Sequence, residues 1–62
     1  MTPAARIRSE RRARGWTQQS LADQVGVNVR TVQKWESGTA RPRNHRLLRL
    51  ARLFGVDPEL LA

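Results

Sequence analysis

Between Gln18 and Ser37 the chain reads QQSLADQVGVNVRTVQKWES, and its apolar residues do not follow one helical stripe from end to end. Leu21, Ala22 and Val25 share one face of a first helix. Past Gly26 and Val27, a second set follows in Val29, Val32 and Trp35. Spacings of three and four within each half, with glycine at the join, predict two short helices around a tight turn. Gly26 can take a positive φ at a helix end without the clash that a Cβ brings. Ala22 is small where the two helices would cross, which lets them approach closely. Asn28 offers a side-chain oxygen to the free N–H groups that open the second helix. Few arrangements satisfy a small residue, a glycine and two apolar faces at once, so this stretch constrains the rest of the fold.

Taken together, those requirements resemble the helix-turn-helix of the phage repressor and Cro-like (XRE-type) family of DNA-binding domains, and the likeness extends over nearly the whole chain. The resemblance implies an all-α, compact five-helix bundle of the lambda-repressor-like type. In that type the second helix of the motif, here the third of the chain, lies in the major groove of double-stranded DNA.

The remaining sequence fits helices over about 3–14, 18–25, 29–36, 45–54 and 58–62. Thr2-Pro3 opens the first, because Pro at the first helical position gives up only an N–H that has no partner there. Ala4, Ile7, Arg11 and Arg14 share one side of it, and Gly15 stops it. Trp16, in the connection, is expected to plug the gap between this helix and the motif, since large aromatics carry much of a small core's burial. Thr17 caps the second helix; Ser20 stands where a capping box would need Glu or Gln, so only half of that device is present. Gly38 ends the third helix. Thr39 to Arg43 reads as a loop because Pro42 biases Arg41 away from helix. Asn44 is expected to cap the fourth helix, which buries Leu47, Leu50, Ala51 and Phe54 with Leu48 and Leu53 at the margins. Gly55 ends it, and Asp57-Pro58 begins a short fifth that contributes Leu60 and Leu61. No strand pattern or internal repeat interrupts this reading.

Sixty-two residues make one small domain, 1–62, with a modest core; a chain of this size buries only about 60% of the surface its unfolded form exposes. The absence of cysteine excludes a disulfide framework and a thiolate metal site, and a single histidine excludes a His-rich zinc cluster. No apolar run has the length of a membrane span or a signal-peptide core, so a cytoplasmic, nucleoid-associated protein is expected, with no membrane partner. There is no nucleophile–base pair, carboxylate dyad or glycine-rich phosphate loop, which argues against an enzyme, and no cofactor or metal is implied. The formal charge is +7, and eleven of the twelve basic residues are arginine. On so small a body that charge points to a polyanion, although a solvated basic surface would have the same composition.

With Val32 and Trp35 facing inward, Arg30, Gln33 and Lys34 face outward, and Asn28, Val29 and Thr31 occupy the exposed first turn of the third helix. The resemblance puts base reading on Asn28, Val29, Arg30 and Lys34, with Gln33 close by. The chemistry suits it: Arg30 or Lys34 can bond guanine O6 and N7, and Val29 can meet a thymine methyl. The competing reading leaves Val29 partly buried and Lys34 merely solvated. Gln18, at a helix N-terminus, matches the family's phosphate-contacting glutamine that also braces the recognition helix. Thr31, Ser37, Arg41, Arg43 and Arg46 complete the expected phosphate set, and Arg8 and Arg12 could flank it on the other side. His45 is expected at the surface. The family also pairs an arginine and a glutamate at the positions of Arg11 and Glu36, which implies a partly buried structural salt bridge.

The expected function is therefore sequence-specific binding of double-stranded DNA by a prokaryotic or phage transcriptional regulator. Two other classes stay open: an antitoxin-like module with an additional protein partner, and a non-specific basic nucleic-acid binder. The polar outer face of the third helix favours the first. A repressor-like regulator would bind a palindromic operator as a homodimer. Because the chain ends soon after the fifth helix begins, it is expected either to be a fragment or to dimerise through its last two helices.

Overall fold

The computed structural model describes all 62 residues, Met1 to Ala62. Four α-helices follow one another: α1 (Pro3–Ala13), α2 (Gln18–Val25), α3 (Val29–Ser37) and α4 (Asn44–Phe54). They fill a body of 23 × 21 × 20 Å that contains no strand. No helix is long and apolar enough to cross a membrane.

Local chemistry sets most of the boundaries. The Thr2 hydroxyl accepts the Ala5 N–H at 3.1 Å, the Thr17 hydroxyl accepts Ser20 N–H at 3.0 Å, and the Asn28 side chain accepts Arg30 N–H at 2.8 Å. Each satisfies one of the donors that a helix start leaves unpaired. At the other end of α2, Gly26 takes a left-handed conformation at φ 79° and its N–H returns to Ala22 O. That reversal packs α3 against α2, and Ala22 of α2 is fully buried.

The core is a single cluster: Ile7 from α1; Leu21, Ala22 and Val25 from α2; Val32 and Trp35 from α3; Leu50, Ala51 and Phe54 from α4; and Leu61. Fully burying a Leu, Ile, Val or Phe side chain stabilises a fold by about 1.5–3 kcal/mol. Trp35 seals the α3 side of the cluster and Pro42, in the loop before α4, is buried as well.

The chain departs from the five-helix expectation at its end. Pro58–Leu60 forms one 3₁₀ turn, with Leu60 N–H bonded to Asp57 O and Leu61 N–H to Pro58 O, each at 3.0 Å. These are bonds between residues three apart; a segment of three residues closes no α-helical bond. The turn drives Leu61 fully into the core and leaves Leu60 44% exposed, so only one of the two leucines joins the apolar cluster.

Two smaller corrections concern α4. Asn44 does not cap it; Arg43 occupies the cap position without a side-chain bond, and Asn44 is the first helical residue, at φ 54°. Asparagine is among the few non-glycine residues that enter this region readily. Leu47 is half-buried and Leu48 is 52% exposed, because the helix turns its Leu50–Ala51–Phe54 side to the core. Trp16 is half-buried against the core cluster, as expected of a plug beside the motif, and it also stacks on Phe54 of α4, ring centroids 6.4 Å apart.

Candidate nucleic-acid interface

α3 is amphipathic in a strict sense: Val32, Trp35 and Glu36 are buried, while Arg30, Gln33, Lys34 and Ser37 are exposed. Asn28 is exposed ahead of the first turn, with its side-chain oxygen occupied as the cap. Val29 and Thr31 are half-buried, and Val29 leans on the core, which leaves it only part of its surface for any outside contact. The side chains of Arg30, Gln33 and Lys34 make no hydrogen bond or ion pair within the protein. Three polar heads thus project from a helix whose other side is anchored in the core.

The anchor includes a buried charge. Arg11 meets the Glu36 carboxylate in a two-pronged pair, Nε to Oε2 at 2.6 Å and Nη2 to Oε1 at 2.9 Å. Its remaining nitrogen, Nη1, donates to Trp16 O at 2.8 Å. Gln18 adds its amide to Glu36 Oε1 at 3.2 Å. Arg8 donates through Nη2 to the Glu36 carbonyl at 3.0 Å and lies 3.7 Å from Oε1 through Nε. An isolated buried carboxylate is costly, and a negative charge at a helix C-terminus also opposes the helix dipole. Two guanidiniums and an amide offset both penalties, and no buried side-chain nitrogen or oxygen lacks a partner. The hydrogen bonds to Glu36 raise the Arg11 pKa above its ordinary value, its burial opposes them, and Coulomb attraction to Glu36 adds to the rise. The arginine therefore stays charged at any physiological pH.

Gln18 thus braces the end of α3 with its side-chain amide, and Arg8 is tied to the same carboxylate instead of standing free as a flank. The Ser37 hydroxyl donates to Lys34 O at 3.1 Å and lies 2.9 Å from Thr39 Oγ1. Arg41, Arg43 and Arg46 are exposed and free of carboxylates. They surround, with His45, a depression of about 270 Å³ that also touches Trp35, Pro42 and Asn44. α4 begins here without a side-chain cap. Uncapped N–H groups and the positive end of the helix dipole add to the field of the three guanidiniums. Arg12 is exposed on α1 and likewise has no carboxylate partner. The structure brings together no group of three or more His, Cys, Asp or Glu side chains that could hold a metal ion.

Three arginines have roles that composition and spacing did not reveal. Arg14 donates through Nη2 to Phe54 O, the last carbonyl of α4, at 2.8 Å, and through Nη1 to Glu10 Oε1 at 3.0 Å. Its guanidinium lies 5.0 Å from the Phe54 ring centre and 5.6 Å from that of Trp16. Arg49 donates to Val25 O at the end of α2, at 3.0 Å. Arg8 does the same at the end of α3. In each case a cation from another part of the chain fills a carbonyl that a helix end leaves open. Partners lie 24 to 40 positions away in sequence, which no periodicity exposes.

Residues 7–61 match the helix-turn-helix family. The SPbeta prophage-derived uncharacterized HTH-type transcriptional regulator YonR of Bacillus subtilis (strain 168) is 32% identical over 56 residues, 90% of this chain and 52% of that protein. The chain therefore spans about half the length of this curated relative. The solution NMR structure of the DNA-binding domain of the P22 C2 repressor matches with a TM-score of 0.87 at 28% identity. That match covers 98% of this chain and 80% of the other.

Proposed function

This chain belongs to the helix-turn-helix family, and from that premise we propose that residues 1–62 are one DNA-binding unit of a phage-type transcriptional regulator. α3 enters the major groove of double-stranded DNA. Arg30 and Lys34 bond acceptors on base edges, Gln33 and Asn28 read beside them, and Val29 presents the unburied part of its side chain to a thymine methyl. Arg41, Arg43 and Arg46 hold phosphates on one side. Thr31, Ser37 and the α2 N-terminus at Gln18 hold the backbone nearer the groove. Two copies bind a palindromic operator as a homodimer, with half-sites about 34–36 Å apart.

One observation carries this reading: the exposed face of α3 holds Arg30, Gln33 and Lys34 with no partner inside the protein, on a helix fixed from behind by the core and by Glu36. A rigid helix with free, directional donors is what base reading requires. A protein-docking helix would expose an apolar stripe instead.

Selection from a random duplex library at physiological salt tests the proposal, with Arg30→Ala run beside the wild type. An enriched palindromic motif that degenerates at one base pair in the variant is the expected result. Binding without any motif would reduce the chain to a non-specific basic binder, and no binding would move a protein partner to first place.

A further inference from the structure

The turn between α2 and α3 is closed from outside the motif. Val25 is the last residue of α2, and Arg49, near the middle of α4, donates from Nη1 to its carbonyl at 3.0 Å. This is the one side-chain hydrogen bond between α4 and the α2–α3 pair. The guanidinium lies so close to the turn that a Cβ on Gly26 would come within 3.0 Å of the same nitrogen, whereas the other glycines have nothing within 4 Å. Gly26 therefore serves twice, supplying the left-handed turn and leaving room for the arginine.

α4 is also the helix that opens with the free cations Arg43 and Arg46. One element thus carries a basic cluster at its start and, one turn after Arg46, a bond to the α2–α3 turn. Apolar contacts from Leu50 and Ala51 hold α4 in the core, but apolar packing alone leaves helix crossing angles a scatter of about 15–20°. A charge-assisted hydrogen bond is directional. We propose that Arg49 is a positioning residue for DNA recognition, holding the exposed face of α3 in register with the cations of α4 so that both meet the duplex together. This rests on the DNA-binding reading above.

The test compares wild type, Arg49→Met, Arg49→Lys and Arg52→Met on two duplexes, the motif selected by the wild type and a scrambled version, at fixed salt. Circular dichroism at the assay temperature reports whether each variant is folded. Arg52 is the control, an exposed arginine of the same helix whose side chain makes no hydrogen bond. Arg49→Met is expected to stay folded and to bind the selected duplex about tenfold more weakly, with only the roughly twofold loss of Arg52→Met on the scrambled one. Arg49→Lys, which keeps a donor and the charge, should recover part of the lost discrimination. Equal losses on both duplexes, or identical behaviour of Arg49→Met and Arg52→Met, would make Arg49 a simple source of charge and overturn the inference. An unfolded Arg49→Met would overturn it too, by making the residue a requirement of the fold. A wild type that selects no motif fails earlier, at the DNA-binding reading itself.

Discussion

Arg11 and Arg30 carry the same guanidinium in opposite settings. Arg11 is buried, bonded through all three of its nitrogens, and paired with a carboxylate that is itself inside the protein. Arg30 is exposed on α3, with no protein partner for its side chain. Arg8, Arg14 and Arg49 extend the first group, since each spends hydrogen bonds on the open end of another helix. Arg12, Arg41, Arg43, Arg46 and Arg52 extend the second. The formal charge of +7 therefore overstates neither group but conflates them. One part of the arginine content cross-links a small fold that has no disulfide, and the other part projects a field. The lesson is that charge on a small basic domain must be divided by partner before it is read as affinity for a polyanion.

Breaking the inner group should have the largest effect. Glu36→Ala strands Arg11 and frees Arg8 and Gln18, and is expected to destabilise the fold by about 3–5 kcal/mol, read from urea denaturation. A double replacement, Arg11→Met with Glu36→Leu, should recover much of that loss, because a well-packed apolar pair avoids the desolvation penalty. A stable, undiminished Glu36→Ala protein would remove the clamp from the account.

Next in size is Arg30→Ala, expected to cost about 1–3 kcal/mol on the selected duplex and to relax preference at one base pair. Its unfolding free energy should move by no more than about 0.5 kcal/mol, the usual range for an exposed substitution. A large stability change would place Arg30 with the inner group.

Gly26→Ala sharpens the same division from the backbone side. It is expected to destabilise by about 1–2 kcal/mol, the usual cost of left-handed backbone for a residue with a Cβ. The loss should exceed that of Gly38→Ala, which has similar φ but open space around it. Equal losses at the two glycines, measured by thermal melting, would mean that Arg49 yields freely.

The smallest effect belongs to Arg43→Ala. All duplexes should bind somewhat more weakly and to the same extent, with the salt dependence flattened by about one unit of slope. A sequence-dependent loss would reassign Arg43 to base reading.

Much of the motif was legible before any coordinates. Leu21, Ala22, Val25, Val32 and Trp35 announce themselves by spacing, and Thr2, Thr17 and Asn28 by cap chemistry, because these signals act within one or two turns of chain. The illegible parts share a cause. Arg8 and Arg49 look like solvated arginines on their own helices, and Arg14, though it shares a side with Ile7 and Arg11, shows no sign of its partner; only the packing brings carbonyls from distant helix ends within their reach. Asn44 looks like a cap because its type is a frequent cap, yet Arg43 takes that position and Asn44, in the left-handed region, is the first helical residue. Leu60 and Leu61 are equivalent in composition, and the geometry of a single 3₁₀ turn separates them.

Local pattern was thus enough to specify the four α-helices, though it also called for a fifth that forms only a 3₁₀ turn, and with them the glycine-broken turn between α2 and α3, the core side of α3 and, by difference, its exposed face, since periodicity, capping and φ preference are properties of neighbouring residues. Which arginines are bound and which are free was decided by the tertiary fold alone. A guanidinium reaches several ångströms and bonds whatever oxygen the packing delivers, and that delivery depends on how helices far apart in the chain come to rest against one another.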